Sequence, residues 1–305
     1  MSKEVCKIIQ YADANISFDS KSKNYTHTKG AFDDYCPPMK GGETGQCNNN
    51  DQKVSAAFIG LINFLNGIDN KENIENDKLA EYAILWLSYI LNQKEENRVI
   101  KLNDFYTNHI KTNEHYNEKI NSGNDNMIDG DLIYNKINSM NVNIKDMSKF
   151  YEAFEILCKM YNTYNENSKK CIDCSEKVEN FAKKYKELNE GSNNNGNNSY
   201  KNILYSLSTD YNNLKKYIFE NCSDSIDISS FPEIKVPQGP FENFEATSSS
   251  SIASKLIPVL LIFSAIPVFL GIAYKYSLFG FDKRLHRQHL REKIKKIKRK
   301  MNHYM

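Results

Sequence analysis

Apolar residues recur at helical spacing in five stretches of the chain. Val54, Phe58, Leu61, Ile62 and Leu65 mark the first, and Leu79, Tyr82, Ala83, Trp86, Leu87 and Ile90 the second. Phe150, Phe154, Leu157, Cys158 and Tyr161 form a third stripe, Val178, Phe181, Tyr185 and Leu188 a fourth, and Ile203, Leu207, Tyr211, Leu214 and Ile218 a fifth. Positions three, four and seven apart share one face of a helix, so each stripe predicts an amphipathic helix with its apolar side in a core. Weaker patterns predict helices over residues 3–13, 102–120 and 130–140. No alternating run rich in Val, Ile or Thr is long enough to predict a strand. The expected fold class is therefore all-α, with a helical bundle as the head, residues 1–222.

Interruptions to the pattern divide the chain. Residues 39–231 contain no proline, which favours uninterrupted helices. The run GSNNNGNN at 191–198 predicts a low-complexity loop between the fourth and fifth stripes. Residues 223–254 carry three of the seven prolines and a TSSSS run, which predicts a disordered Pro/Ser-rich linker.

A different pattern follows the linker. From Leu256 to Tyr274, through Pro258 and Pro267, 19 residues pass without a charge between Lys255 and Lys275. At about 1.5 Å per residue a helix of that length covers about 28 Å, close to the hydrocarbon thickness of a bilayer. Proline is tolerated in such a helix because neighbouring groups take up the freed carbonyls. A transmembrane helix is therefore expected over 255–275. The ten apolar residues from Tyr82 to Leu91 are too few to span and predict a buried globular helix.

The formal net charge of +2 conceals two opposite parts. Residues 275–305 hold eleven basic and two acidic residues, so they carry +9 and leave −7 on residues 1–274. Basic residues beside a span favour the cytoplasmic side, so the tail, 276–305, is expected in a cytosol and the head on the other side. Within the tail, Leu290, Ile294, Ile297 and Met301 keep helical spacing amid basic residues. A basic amphipathic helix is expected there, with Lys283, Arg284, Arg287, Arg291, Lys295, Lys296 and Arg299 against anionic lipid, each worth up to about 1 kcal/mol. The lipid bilayer is thus the first expected partner, and nucleic acid is not expected as one. No apolar run of signal-peptide length occurs in the first 18 residues, so the span is expected to act as an uncleaved signal or a tail anchor.

All seven cysteines, Cys6, Cys36, Cys47, Cys158, Cys171, Cys174 and Cys222, precede the span, which points to an oxidising compartment and candidate disulfides. Cys36 and Cys47 bracket CPPMKGGETGQC, a short disulfide or a two-ligand metal arm. Cys171-Ile-Asp-Cys174 is a C-x-x-C without the βαβ context of a redox motif. A zinc site would need a second C-x-x-C or paired histidines. His109 and His115 do not share a helix face, and His286 and His289 sit among like charges. Structural disulfides are the better account, and an odd count leaves at least one thiol free or paired between chains. The sequons at Asn15, Asn24, Asn197 and Asn221 weigh little in a chain with 39 asparagines. No phosphate-binding glycine loop, nucleophile elbow or H-E-x-x-H motif is present, so no catalytic residue, cofactor or metal is expected and the chain is not expected to be an enzyme.

The tail YSLFGF at 276–281, followed by Lys283-Arg284, LREK at 290–293 and KMNHYM at 300–305, is specific. Together with AEYAILWLSYILNQK at 80–94 it resembles the Plasmodium interspersed repeat (PIR) family, in particular its rodent-malaria Cir, Yir and Bir branch. The resemblance implies a multigene variant antigen of the blood-stage parasite, exported to the infected red cell. Its helical head would serve host interaction or antigenic variation, with a host cell-surface or serum protein as the implied partner. It also implies a structural role for Cys6 and the Cys36 to Cys47 loop without giving the pairing. The alternative is a membrane-anchored trafficking or scaffold protein in parasite-derived membranes.

Overall fold

The computed structural model describes residues 1–38, 45–68, 74–120, 127–165, 170–171, 174–195, 198–221 and 234. The chain divides into two compact units, Met1–Gly239 and Pro240–Met305, and every described residue lies in the first.

Helices account for most of that unit. They are α1 (Lys3–Asn15), α2 (Asn50–Asn66), α3 (Asn76–Asn92), α4 (Leu102–Phe105), α5 (Tyr116–Lys119), α6 (Gly130–Met140), α7 (Ile144–Thr163), α8 (Cys174–Asn195) and α9 (Asn198–Asn221). Side-chain caps set several starts by accepting otherwise orphaned backbone N–H groups. Ser2 accepts from Val5 at 3.3 Å, Asn49 from Gln52 at 2.8 Å and Asp129 from Leu132 at 2.7 Å. The Gln52 side chain reciprocates by accepting from the Asn48 N–H at 2.7 Å, so α2 begins with a reciprocal cap one residue wider than the usual box.

The helix α3 is buried on almost every side, from Leu79 through Trp86 to Leu91. It packs on α2, α6 and α7, and α7 in turn carries α1, α8 and α9. Rings from both central helices form the core: Tyr82 stacks on Phe154 at 4.7 Å and Tyr89 on Tyr151 at 4.7 Å. Each of the five apolar stripes lies in a helix, namely α2, α3, α7, α8 and α9.

Three local expectations are corrected. Two short antiparallel hairpins interrupt the helices: β1 (Ile16–Asp19) with β2 (Asn24–His27), and β3 (Tyr164–Asn165) with β4 (Lys170–Cys171). The first is held by Phe18 against Tyr25, whose rings lie 4.9 Å apart, and by the Tyr25 hydroxyl, which donates to the Ile90 carbonyl at 2.7 Å. Strands of four residues carry too short an alternation to be read along the chain. The loop expected at 191–198 is largely helical, because α8 continues to Asn195 and α9 starts at Asn198. Gly191 lies against the Tyr200 ring of α9, where a Cβ would come within 3.2 Å of the hydroxyl, so packing between the helices extends the first of them.

The single helix expected over 102–120 is broken. After α4 the backbone widens into a π turn at Tyr106–Ile110, closed by the Lys111 N–H on the Tyr106 carbonyl at 2.9 Å, before α5 begins. The cause is tertiary. The Tyr106 hydroxyl reaches both the Tyr116 hydroxyl at 2.6 Å and the Gly130 carbonyl at 2.9 Å. Gly130 leaves room for this, since a Cβ there would overlap the Tyr116 hydroxyl.

Candidate functional site

Among the described residues two disulfides tie the head together. Cys6 on α1 is bonded to Cys158 on α7, 152 residues away, and both are buried between the two helices. Cys36 is bonded to Cys47 across a separation of 11 residues. Cys36 follows a 3-10 turn at Asp33–Tyr35 and is buried, whereas Cys47 is half-buried just before α2. The His27 ring at the end of β2 lies within 4.8 Å of both sulfur atoms. His109 and His115, which share no helix face, meet different partners. His115 donates from Nε2 to the Cys36 carbonyl at 3.0 Å, while His109 faces Asp51 at 3.8 Å.

A half-buried carboxylate joins α1, α3 and α7. Asp13 accepts from the Trp86 indole N–H at 2.7 Å and from the Tyr151 hydroxyl. Burial pushes the Asp13 carboxyl up to about 6, against the pull of those two donors. Burial and the facing Asp13 likewise push Tyr151 well above the ordinary tyrosine range.

The Asp13 shift sets a pH dependence. The folded value of about 6 lies above the ordinary 3.8, so the group's contribution to stability is fully present below about 3.8 and is lost as pH rises through about 6. Between pH 7.5 and pH 5 the native chain should therefore gain about 1.4 kcal/mol relative to an Asp13→Asn variant. His27, held below its ordinary value by burial, works in the opposite direction in both proteins and cancels in the difference. Urea unfolding of both chains at the two pH values measures it, and a difference independent of pH contradicts a raised Asp13 carboxyl.

A second polar cluster ties α9 to α3. Lys78 lies 3.1 Å from both Glu81 and Asp210, and Asp210 also accepts from the Tyr82 hydroxyl at 2.7 Å. Lys136 of α6 completes the group, 2.5 Å from Asp77 and 3.9 Å from Glu81. Burial acts against the Lys78 charge, but Glu81 and Asp210 outweigh it and hold its pKa above the ordinary lysine value. Along the sequence these residues look like solvated helix faces. What distinguishes them is the partner on another helix, and nothing in a single sequence marks it.

The family follows from the whole head rather than from one cluster. Residues 6–275 match the family described as Plasmodium variant antigen protein Cir/Yir/Bir. The chain belongs to this Plasmodium PIR family. A solved structure titled "Structure of a Plasmodium PIR protein ectodomain" is 34% identical, with a TM-score of 0.61, over 78% of this chain and 98% of that one. No curated protein matches.

The other expected site residues fall differently. Cys171 ends β4 and Cys174 opens α8, and their side chains lie outside what is described. Cys222, the linker at 223–254 apart from residue 234, the span with Leu256, Pro258, Pro267 and Tyr274, and the tail with Lys283, Arg284, Arg287, Arg291, Lys295, Lys296 and Arg299 lie outside the described residues. Among the described residues no helix is long and apolar enough to cross a membrane. On the outside of the PIR head, an open groove of about 480 Å³ between α7 and α8 is lined by Lys159, Lys177, Lys183, Lys184, Glu176 and Glu187. Lys159 pairs with Glu155 at 2.7 Å and Lys184 with Glu152, so half of its cations are already neutralised. Its mixed charge makes it a solvated ion-paired face.

Proposed function

We propose that the chain is a single-pass membrane variant antigen of a blood-stage malaria parasite, exported to the infected red cell. The head faces outward for host interaction or antigenic variation, the span at 255–275 crosses the bilayer, and the basic tail lies in the cytosol. The observation that carries this reading is the likeness of 78% of this chain to a solved PIR ectodomain at 34% identity. Two features support it. A head held by the Cys6–Cys158 and Cys36–Cys47 disulfides suits an oxidising exterior. The uncharged 19-residue run followed by a +9 tail suits a span with its tail inside. The protein acts by binding, without catalysis or nucleic-acid contact, and a host cell-surface or serum protein is its partner.

Protease treatment of intact infected cells, followed by immunoblots for head and tail, tests the reading. Surface display predicts that the head is cleaved while a membrane-protected fragment bearing the tail survives. A head that resists until the cells are permeabilised contradicts surface display and favours a trafficking or scaffold role in parasite-derived membranes.

A further inference from the structure

The corner formed by His27, Cys36 and Cys47 contains three metal-ligating side chains from three separate segments. The two sulfurs and the His27 ring lie within 4.8 Å of one another. With Zn–S near 2.3 Å and Zn–N near 2.0 Å, tetrahedral geometry places neighbouring ligand atoms about 3.6 Å apart, a spacing this corner reaches with small side-chain movements. We propose that reduction of the Cys36–Cys47 disulfide turns this corner into a binding site for a thiophilic divalent cation, zinc in particular, held by two thiolates and the His27 imidazole.

The surrounding structure holds the ligands together without the disulfide. The Gln46 N–H donates to the Pro37 carbonyl at 3.0 Å, pairing the two cysteine segments through their backbones. Gly45 lets them approach, since a Cβ there would clash with the Cys36 carbonyl and sit 2.9 Å from the Asp33 carbonyl. The Cys36 side is anchored by His115 on its carbonyl at 3.0 Å and by the Asn113 amide on the Tyr35 carbonyl at 3.1 Å. The Cys47 side is anchored through Asn48 on the Gln52 side chain at 2.7 Å.

His27 is also prepared as a ligand. Its Nε2 meets the Lys53 carbonyl at 2.7 Å, and because a carbonyl only accepts, Nε2 carries the proton. The lone pair is thereby left on Nδ1, and a ring N–H on a backbone carbonyl is the usual orienting contact of a metal-bound histidine. Burial holds the imidazole below its ordinary pKa, in the neutral form that ligates. The fourth position is left to water, as in open zinc sites.

A phosphine and one water reduce the disulfide to two thiols and form the phosphine oxide, and the cation then displaces two protons as the thiolates bind. Oxidation by a small-molecule disulfide reverses the change: the Cys36–Cys47 bond reforms, the cation is released and two small thiolates leave, taking up two protons from water to become thiols. The Cys6–Cys158 pair is buried at both ends, whereas Cys47 is half-buried, so the shorter bridge is the more accessible to reductant.

Cobalt(II) is the probe, titrated into the full chain in detergent with Cys171, Cys174 and Cys222 replaced by serine. After phosphine reduction we expect one equivalent to bind with a thiolate-to-cobalt charge-transfer band that zinc displaces, and no band before reduction. His27→Ala should weaken binding by more than about tenfold, since loss of an outer-shell partner alone costs that much. Cys47→Ser should remove the band. No band in the reduced chain, or the same titration with His27→Ala, overturns the proposal. A second readout needs no variant at His27: zinc should slow alkylation of Cys36 and Cys47 in the reduced chain, and equal alkylation with and without zinc overturns it too.

Discussion

Replacing Cys6 and Cys158 together by alanine should lower the stability of the head by about 5 kcal/mol, the loop-closure entropy of a bridge this long. The bond joins residues 152 apart, so it removes more freedom from the unfolded chain than the Cys36–Cys47 bond, whose separation is 11 residues and whose loss should cost about 3 kcal/mol. Both sulfurs of the long bridge are also buried between α1 and α7, so their removal leaves a packing defect at the contact that holds α1 in place. Against a typical domain stability of about 5–15 kcal/mol, such a loss separates a folded head from a largely unfolded one. Urea unfolding followed by Trp86 fluorescence measures both double variants. A smaller effect for the long bridge than for the short one contradicts the loop-entropy account.

Truncating Trp86 should be nearly as damaging. This is the only tryptophan of the chain, fully buried on α3, and its indole N–H donates to the half-buried Asp13. Trp86→Ala should cost about 4–5 kcal/mol, because it opens a large cavity in a close-packed core and leaves the carboxylate with Tyr151 alone. Trp86→Phe keeps most of the ring volume and removes only the donor, so it should cost about 2 kcal/mol. The unfolding midpoints of the two variants, followed by circular dichroism, measure the contrast. Equal losses would mean that the hydrogen bond, and not the packing, is what the indole supplies. The same logic predicts that Asp13→Asn partly rescues Trp86→Ala, since the neutral amide is less harmed by a missing donor.

How much of this was legible along the chain depends on the range of each interaction. The spacing of Leu79, Tyr82, Trp86 and Ile90 already marks α3, and the comparable stripes mark α2, α7, α8 and α9, because helix amphipathicity is written within eleven or twelve residues. The short strands around Phe18 and Tyr25 were not legible, because four residues hold only two turns of alternation and their pairing rests on a Tyr25 contact with Ile90. The π turn after Phe105 was likewise hidden, since it answers to Tyr116 and Gly130 rather than to its own propensity. At the candidate site, the Cys36 to Cys47 loop could be picked out from its own spacing, but His27 could not. A lone histidine nine residues before a cysteine carries no signal until the β1–β2 hairpin folds it back.

The sequence by itself therefore settled which residues face inward, the helical class of the head and, through the tail and the Trp86 segment, the family resemblance. These are local or contiguous properties, read from period and motif. Only the tertiary structure decided which distant residues meet: Cys6 with Cys158, Asp13 with Trp86 and Tyr151, Lys78 with Asp210, and His27 with the Cys36–Cys47 pair. Pairing across such separations follows from how the helices pack, and a hydrophobic stripe states only that a face is buried, without naming what buries it.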